Sequence, residues 1–149
     1  MSSSVPFIAP TYLDAAELHE LLTDPSTAST TLVVDVREDD FRGGNVYNAL
    51  NVPAHSFRQS TSKVIEAAKD KKLVVFHCMQ SQVRGPKCAR IMAEHVAEAG
   101  LASFPTIVIL ADGFSGWMQY VADLDEETRA KVKSQLIANY VKSCHGYNL

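Results

Sequence analysis

The sequence predicts an α/β fold, a central, mostly parallel sheet with helices on both faces in three α/β/α layers. Three observations point there. Leu32-Val33-Val34-Asp35-Val36, Leu73-Val74-Val75-Phe76 and Thr106-Ile107-Val108-Ile109-Leu110 are short, apolar, largely β-branched runs, the pattern of strands buried on both faces. Segments of helical spacing separate them, as crossovers between parallel strands require. At 149 residues, 46% apolar and 21% charged, the chain suits one globular domain with a core of its own.

Residues 1–11 are expected to form an N-terminal arm and residues 12–149 a single domain. Tyr12-Leu13 starts extended. Asp14, with Glu17 three residues on, has the spacing of a capping box. A helix is therefore expected to about Thr23, with Leu18, Leu21 and Leu22 as its apolar side. Asp24 to Thr31 reads as a polar surface loop. Gly43-Gly44 marks a turn, and Asn51-Val52-Pro53 a second short strand stopped by proline. A polar helix is expected over 61–70. Between Pro86 and Ala99, Cys88, Ile91, Met92, Val96 and Ala99 recur on one helical face. A short helix around 114–120 follows, with Phe114 and Trp117 in the core. A longer amphipathic helix over about 125–142 closes the chain, with Val132, Leu136 and Tyr140 on one side. The charge run from Asp123 to Lys133 reads as its solvated face.

With 14 basic and 17 acidic residues the net charge is −3, so the cationic footprint of a nucleic-acid or membrane-surface binder is missing. No apolar run reaches the roughly 20 residues of a bilayer span. Met-Ser-Ser-Ser-Val-Pro-Phe lacks the basic start and apolar core of a secretion signal. Three cysteines without paired spacing do not make a disulfide framework. The expected setting is the cytoplasm, with the nucleus as a second compartment.

The sharpest chemical feature is His77-Cys78-Met79-Gln80-Ser81-Gln82-Val83-Arg84-Gly85-Pro86. A buried strand ends, seven residues from Cys78 through Arg84 form a loop, and a helix begins. In an open parallel sheet such a loop lies beyond the carboxyl ends of the strands, where ligands bind. The first helical turn carries unpaired N–H groups and a partial positive charge, which suit an anion. Pro86 fits that turn because it has no N–H to leave unpaired. The same environment favours the thiolate form of a cysteine. Arg84 carries a planar fork that matches a tetrahedral oxyanion. Cys78 and Arg84 are thus the expected catalytic pair, nucleophile and clamp. Met79, Gln80, Ser81, Gln82, Val83 and Arg84 form the oxyanion-binding loop, and His77 orients it. Ser81 offers a hydroxyl to the thiolate or the anion. The bland alternative is a buried structural cysteine near an unrelated surface arginine.

The pattern His-Cys-x-x-Ser-x-x-Arg-Gly-Pro over His77 to Pro86 resembles the active loop of the rhodanese-fold cell-division-cycle phosphatases. It resembles still more that of the small eukaryotic arsenate reductases and minimal tyrosine phosphatases built on the same domain. Asp35-Val36-Arg37 followed by Gly43-Gly44-Asn45-Val46 and Asn51-Val52-Pro53 is similar to the first rhodanese signature. Leu110, Gly113-Phe114 and Trp117 are similar to the closing one, so the resemblance spans roughly residues 12–120. It implies a rhodanese-like domain and a cysteine nucleophile. Sulfur-transferring rhodaneses have a loop one residue shorter, and a non-catalytic binding module would lack the nucleophile.

Three positions depart from the family pattern. Asn45 replaces the usual histidine, with local hydrogen bonding as the expected cost. Val36 stands where the cell-cycle phosphatases carry a thiol able to pair with the nucleophile. Met79 stands where they carry an acidic residue. A phosphatase expels an alcohol or phenol and benefits from a general acid. An arsenate reductase needs a second thiol instead. No acid lies within Met79 to Val83 and no thiol at position 36, which favours arsenate with an external thiol; the resemblance implies glutathione and glutaredoxin as that reductant, with no bound cofactor. Phosphate-ester hydrolysis, with a phosphoprotein as partner and an acid supplied by Asp40 or Glu38, is the alternative. Cys88 reads as core more readily than as resolving thiol. Cys144 and His145 read as a solvated tail, because two candidate ligands without a partner pair make a weak metal site; Cys144 reaching Cys78 is the other reading. Asp35 and Arg37 are expected to form a structural network beside the loop.

Overall fold

The computed structural model describes residues 4–149. Its strands are β1 (Thr11–Leu13), β2 (Thr31–Asp35), β3 (Asn45–Val46), β4 (Leu50–Asn51), β5 (Leu73–His77), β6 (Thr106–Leu110) and β7 (Ile137–Ala138). The helices are α1 (Ala15–Thr23), α2 (Pro25–Ala28), α3 (Thr61–Ala67), α4 (Arg84–Ala99), α5 (Gly113–Asp123), α6 (Glu126–Leu136) and α7 (Lys142–His145). Five strands form one sheet in the order β1-β6-β5-β2-β4, and each neighbouring pair is parallel.

Alternation along the strands sorts the core into two layers, because successive side chains leave a strand on opposite faces. Val34, Phe76 and Ile109 pack with Phe57, Val64, Cys88 and Met92 under α3 and α4. Val33, Val75 and Val108 pack with Leu18, Phe114, Trp117 and Val121 under α1 and α5. Each such apolar side chain, fully buried, contributes roughly 1.5–3 kcal/mol. Trp117 is buried with its Nε1–H donating to the Leu136 carbonyl at 2.9 Å, so its one polar atom is satisfied.

The capping box is present: the Glu17 N–H donates to Asp14, and the Asp14 N–H donates to Glu17. Several boundaries differ from expectation. The Asp24–Thr31 segment contains α2, because Asp24 caps Ser26 and Pro25 occupies the first helical position. The second short strand is Leu50–Asn51, which pairs with Val34 and Asp35 and precedes Val52-Pro53. Helix α3 ends at Ala67, and α5 extends from Gly113 to Asp123. Helix α4 starts at Arg84, two residues before Pro86.

The largest correction is at the C-terminal end. The helix expected over 125–142 stops at Leu136, so Tyr140 leaves the Val132–Leu136 face. Ile137 and Ala138 turn extended and pair antiparallel with Val46 and Asn45. Asn139 then takes a φ of +59°, which a helix does not allow. The segment that follows is solvent-exposed at residues 141–144, as a tail would be, but it is also docked: the Val141 N–H donates to the Gly43 carbonyl, and His145 stacks on Tyr140 and meets the Phe114 ring edge-on. The arm is tethered too. Its Val5 N–H donates to the Ala97 carbonyl, Arg90 sits over the Phe7 ring, and Thr11 already belongs to β1. Residues 1–3 of the expected arm lie outside the described residues. No helix among the described residues is long and apolar enough to cross a membrane.

Candidate active site

Strand β5 delivers Cys78 to the carboxyl edge of the sheet, and α4 begins at Arg84. Cys78 is 3% exposed, and its Sγ accepts the Gly85 N–H at 3.2 Å, in the first turn of α4. A side chain at Gly85 would bring its Cβ to 3.1 Å from the Cys78 nitrogen, so glycine lets strand and helix cross closely there. The start of α5 holds the loop from the other side. The Phe114 N–H donates to the Cys78 carbonyl at 2.9 Å and the Ser115 N–H to the Met79 carbonyl at 2.8 Å. In a trans peptide the C=O and N–H point oppositely. Fixing these carbonyls on α5 therefore turns the Met79 and Gln80 N–H groups away from it. Ser81 has a φ of +52°, and its buried Oγ has no hydrogen-bond partner in the protein.

Below the loop lies a buried network. Arg37 donates from Nε and Nη2 to the Asp35 carboxylate, both residues being fully buried. It also donates to the Asp40 carbonyl at 2.9 Å and the Gly44 carbonyl at 2.8 Å, and its guanidinium lies 4.2 Å from the centre of the Phe114 ring. Two buried charges are tolerable here because they face each other and the remaining donors are satisfied. His77 places Nδ1 2.9 Å from the Cys78 carbonyl and Nε2 3.6 Å from Asp35. Burial, ahead of the opposing pull of Asp35, holds the imidazole below its ordinary range, so it is neutral and suited to orient the loop.

Arg84 turns its fork toward the turn after β2. Its Nη1 donates to Asp40 Oδ1 at 3.0 Å and its Nη2 to Asp40 Oδ2 at 2.7 Å, with Glu38 Oε1 3.3 Å from Nη1. The hydrogen bond from Arg84 lowers the Asp40 carboxyl from 3.8 to about 2, and Asp40 in turn pushes the guanidinium up. Glu38 spends its other oxygen on the His55 N–H and ring, and that contact lowers its pKa. Cys78, Met79, Gln80, Gln82, Val83, Arg84 and Asp40 line a cleft of about 320 Å³. A larger cavity of about 560 Å³ lies by Lys133, Tyr140, Lys142 and Tyr147 and shares no residue with the loop.

The structure thus brings Cys78 and Arg84 to one cleft, with Met79, Gln80, Gln82 and Val83 exposed or half-exposed around it and Ser81 turned inward. Cys88 is a core residue, and burial pushes its thiol up to about 12. Cys144 is exposed and does not line the cleft; it packs against Gly43, where an added Cβ would lie 2.6 Å from the Cys144 Cβ. Asn45 is buried, donates to the Val46 carbonyl and accepts from Asn139 at 3.1 Å. Sequence reasoning missed the supporting roles of Gly85 and Gly113. Their signal is their place, at the first turns of the helices that follow β5 and β6.

The pattern of the rhodanese-like domain matches residues 14–120. Arsenate reductase 2.2 of Oryza sativa subsp. japonica is 37% identical over 112 residues, which cover 71% of this chain and 80% of that one. The Cdc25-like phosphatase YCH1 of Saccharomyces cerevisiae is 34% identical over 134 residues, covering 80% of this chain and 88% of that one. Among solved structures, yeast Ygr203w, described as a protein tyrosine phosphatase of the rhodanese family, superposes with a TM-score of 0.70 at 28% identity. That match covers 93% of this chain and 98% of the yeast chain. Matched residues 14–120 run from the cap of α1 through the cysteine loop into α5, and with these relatives they make the chain a member of the rhodanese-like domain family.

Proposed function

We propose that the protein is an arsenate reductase in which Cys78 is the nucleophile, Arg84 and the loop N–H groups hold the oxyanion, and an external thiol completes the reaction. The observation that carries this reading is the cysteine distribution. Cys78 and Arg84 share the cleft, whereas Cys88 is in the core, Cys144 packs on Gly43 and position 36 is a buried valine. Among the described residues no second thiol lines the cleft, so the thiol that accepts the oxidation comes from solution.

The electrons balance with glutathione as that thiol. The Cys78 thiolate forms an S–As bond as an As–O bond breaks and water leaves. Glutathione then attacks Cys78 Sγ, the S–As electron pair stays on arsenic, and As(V) becomes As(III). Two thiols are thereby oxidised to a mixed disulfide, which glutaredoxin and further glutathione reduce. The second reading is a cysteine-dependent phosphatase, favoured by the Asp40 carboxyl in the cleft and by the likeness to YCH1.

An NADPH-coupled assay with arsenate, glutathione, glutaredoxin and glutathione reductase tests the proposal, run beside aryl phosphate hydrolysis with wild type and Cys78→Ser. NADPH consumption that needs arsenate and Cys78 is the expected result. Aryl phosphate hydrolysis without arsenate reduction overturns it and leaves the phosphatase.

A further inference from the structure

Both reactions share a difficulty. A departing oxygen leaves as hydroxide, alkoxide or phenoxide unless something protonates it. Met79 to Val83 carry no acid, and the His77 ring is buried against the Cys78 carbonyl and Asp35. Among the described residues, Asp40 is the one carboxylate that lines the cleft. It meets the Arg84 fork bidentately, at 3.0 and 2.7 Å, in the geometry a tetrahedral oxyanion would use. The Asp40 carboxylate thus occupies the pair of Arg84 donors that a tetrahedral oxyanion would use.

We propose that Asp40 is a catalytic acid: arriving oxyanion takes over the Arg84 fork, and the released Asp40 carboxyl takes up a proton and passes it to the leaving oxygen. This rests on the oxyanion chemistry of Cys78 and Arg84 argued above. The backbone of Asp40 is fixed while its carboxylate changes partner, because Arg37 Nη1 donates to its carbonyl; the Glu38 N–H, 2.9 Å from Oδ1, keeps the carboxylate in the turn. The ionisable groups in contact with it or with its partners are Arg84, Glu38 across the shared guanidinium, His55 behind Glu38 and Arg37 at its carbonyl, and Cys78 lines the same cleft. The Arg84 hydrogen bond is the main reason the carboxyl sits as low as about 2. With Arg84 on the substrate that cause is removed, and the anion and Glu38 add negative charge nearby, which raises an acid's pKa.

In the first step the S–As bond forms and the As–O bond breaks. The oxygen leaves as water carrying the Asp40 proton, arsenic stays As(V), and Asp40 ends as carboxylate. With a phosphate ester the S–P bond forms, the P–O bond breaks and the alcohol carries the proton away. Asp40 then accepts the proton of the water that hydrolyses the thiophosphate.

The test compares wild type, Cys78→Ser, Asp40→Asn and Asp40→Glu on arsenate and on a leaving-group series from dinitrophenyl to phenyl phosphate. Asp40→Asn should lose on the order of 100-fold on arsenate and phenyl phosphate, with the loss shrinking steadily toward the dinitrophenyl ester. Asp40→Glu should recover part of it. Inorganic phosphate should inhibit Asp40→Asn at least as tightly as wild type, since Arg84 then has one fewer carboxylate to release. If arsenate alone is turned over, the pH profile decides: the basic-side fall of the wild-type rate should vanish in Asp40→Asn. A loss equal for every leaving group, an unchanged pH profile or full activity in Asp40→Asn overturns the acid role while Cys78-dependent turnover stands. Absence of any Cys78-dependent turnover in wild type removes the oxyanion reading, and the acid role with it.

Discussion

Gly113→Ala is the substitution that most directly probes how the cysteine loop is held. Gly113 has a φ of +59°, and a Cβ there would lie 2.6 Å from the Cys78 carbonyl oxygen and 2.7 Å from the Met79 carbonyl. These are the carbonyls that the Phe114 and Ser115 N–H groups hold at 2.9 and 2.8 Å. A left-handed alanine costs roughly 1–2 kcal/mol. Relieving the overlap means moving the loop off α5, which adds roughly 1–3 kcal/mol of overpacking and weakens two hydrogen bonds of about 1 kcal/mol each. These contributions overlap, so the expected loss is about 3 kcal/mol. For a domain of this size that lowers the melting temperature by roughly 6–12 °C. A shift of Cys78 by about 1 Å should also cost on the order of 100-fold in turnover. Thermal denaturation followed by circular dichroism, with the Cys78-dependent assay alongside, reads both. A melting temperature within about 2 °C of wild type, with full turnover, would refute the claim that α5 positions the loop.

Three further outcomes are expected. Arg37→Met strands the buried Asp35 carboxylate and should cost roughly 3–5 kcal/mol in urea unfolding, and adding Asp35→Asn should recover part of it; no recovery would mean the pair is not what holds that region. Cys88→Ala and Cys144→Ser should each keep turnover within about twofold of wild type, because Cys88 has a thiol pushed up to about 12 and Cys144 lies outside the cleft; a tenfold loss in either would make that thiol part of the reaction. The Asp40 carboxyl is lower in the folded protein than its ordinary 3.8, so its pairing with Arg84 stabilises the fold above that pH and ceases to as pH falls toward about 2. With the carboxylate 33% exposed, solvent screening keeps this below about 1 kcal/mol. Asp40→Asn should flatten that acid limb in urea titrations between about pH 5 and 2.5, and an unchanged slope would count against the pairing.

What the sequence reveals is what short-range physics determines. The Asp14–Glu17 capping box, the three buried strands and the Cys78–Arg84 loop are each set within about ten residues, and each forms. What it conceals depends on distant partners. The Arg84–Asp40 pair joins positions 44 apart, and nothing in a Glu-Asp-Asp turn announces which arginine it meets. Helix α6 carries a pattern that could continue past Leu136, yet Ile137 and Ala138 pair with β3 instead, a tertiary gain that outweighs local helix preference. The docking of Cys144 on Gly43 and the covering of the His145 Nε2 follow from that same turn of the chain, so a tail expected in solvent is partly held against the domain.

The β3–β7 ladder also ties the two sides of the cleft to one distant stretch of chain. The turn that bears Asp40 is followed by contacts from far along the sequence, among them Asn139 with Asn45 across 94 residues and Val141 with Gly43. The same stretch braces α5, through the Trp117 bond to the Leu136 carbonyl and the His145 ring against Phe114. Nucleophile and facing turn thus share a common brace, so loosening residues 136–145 slackens both at once.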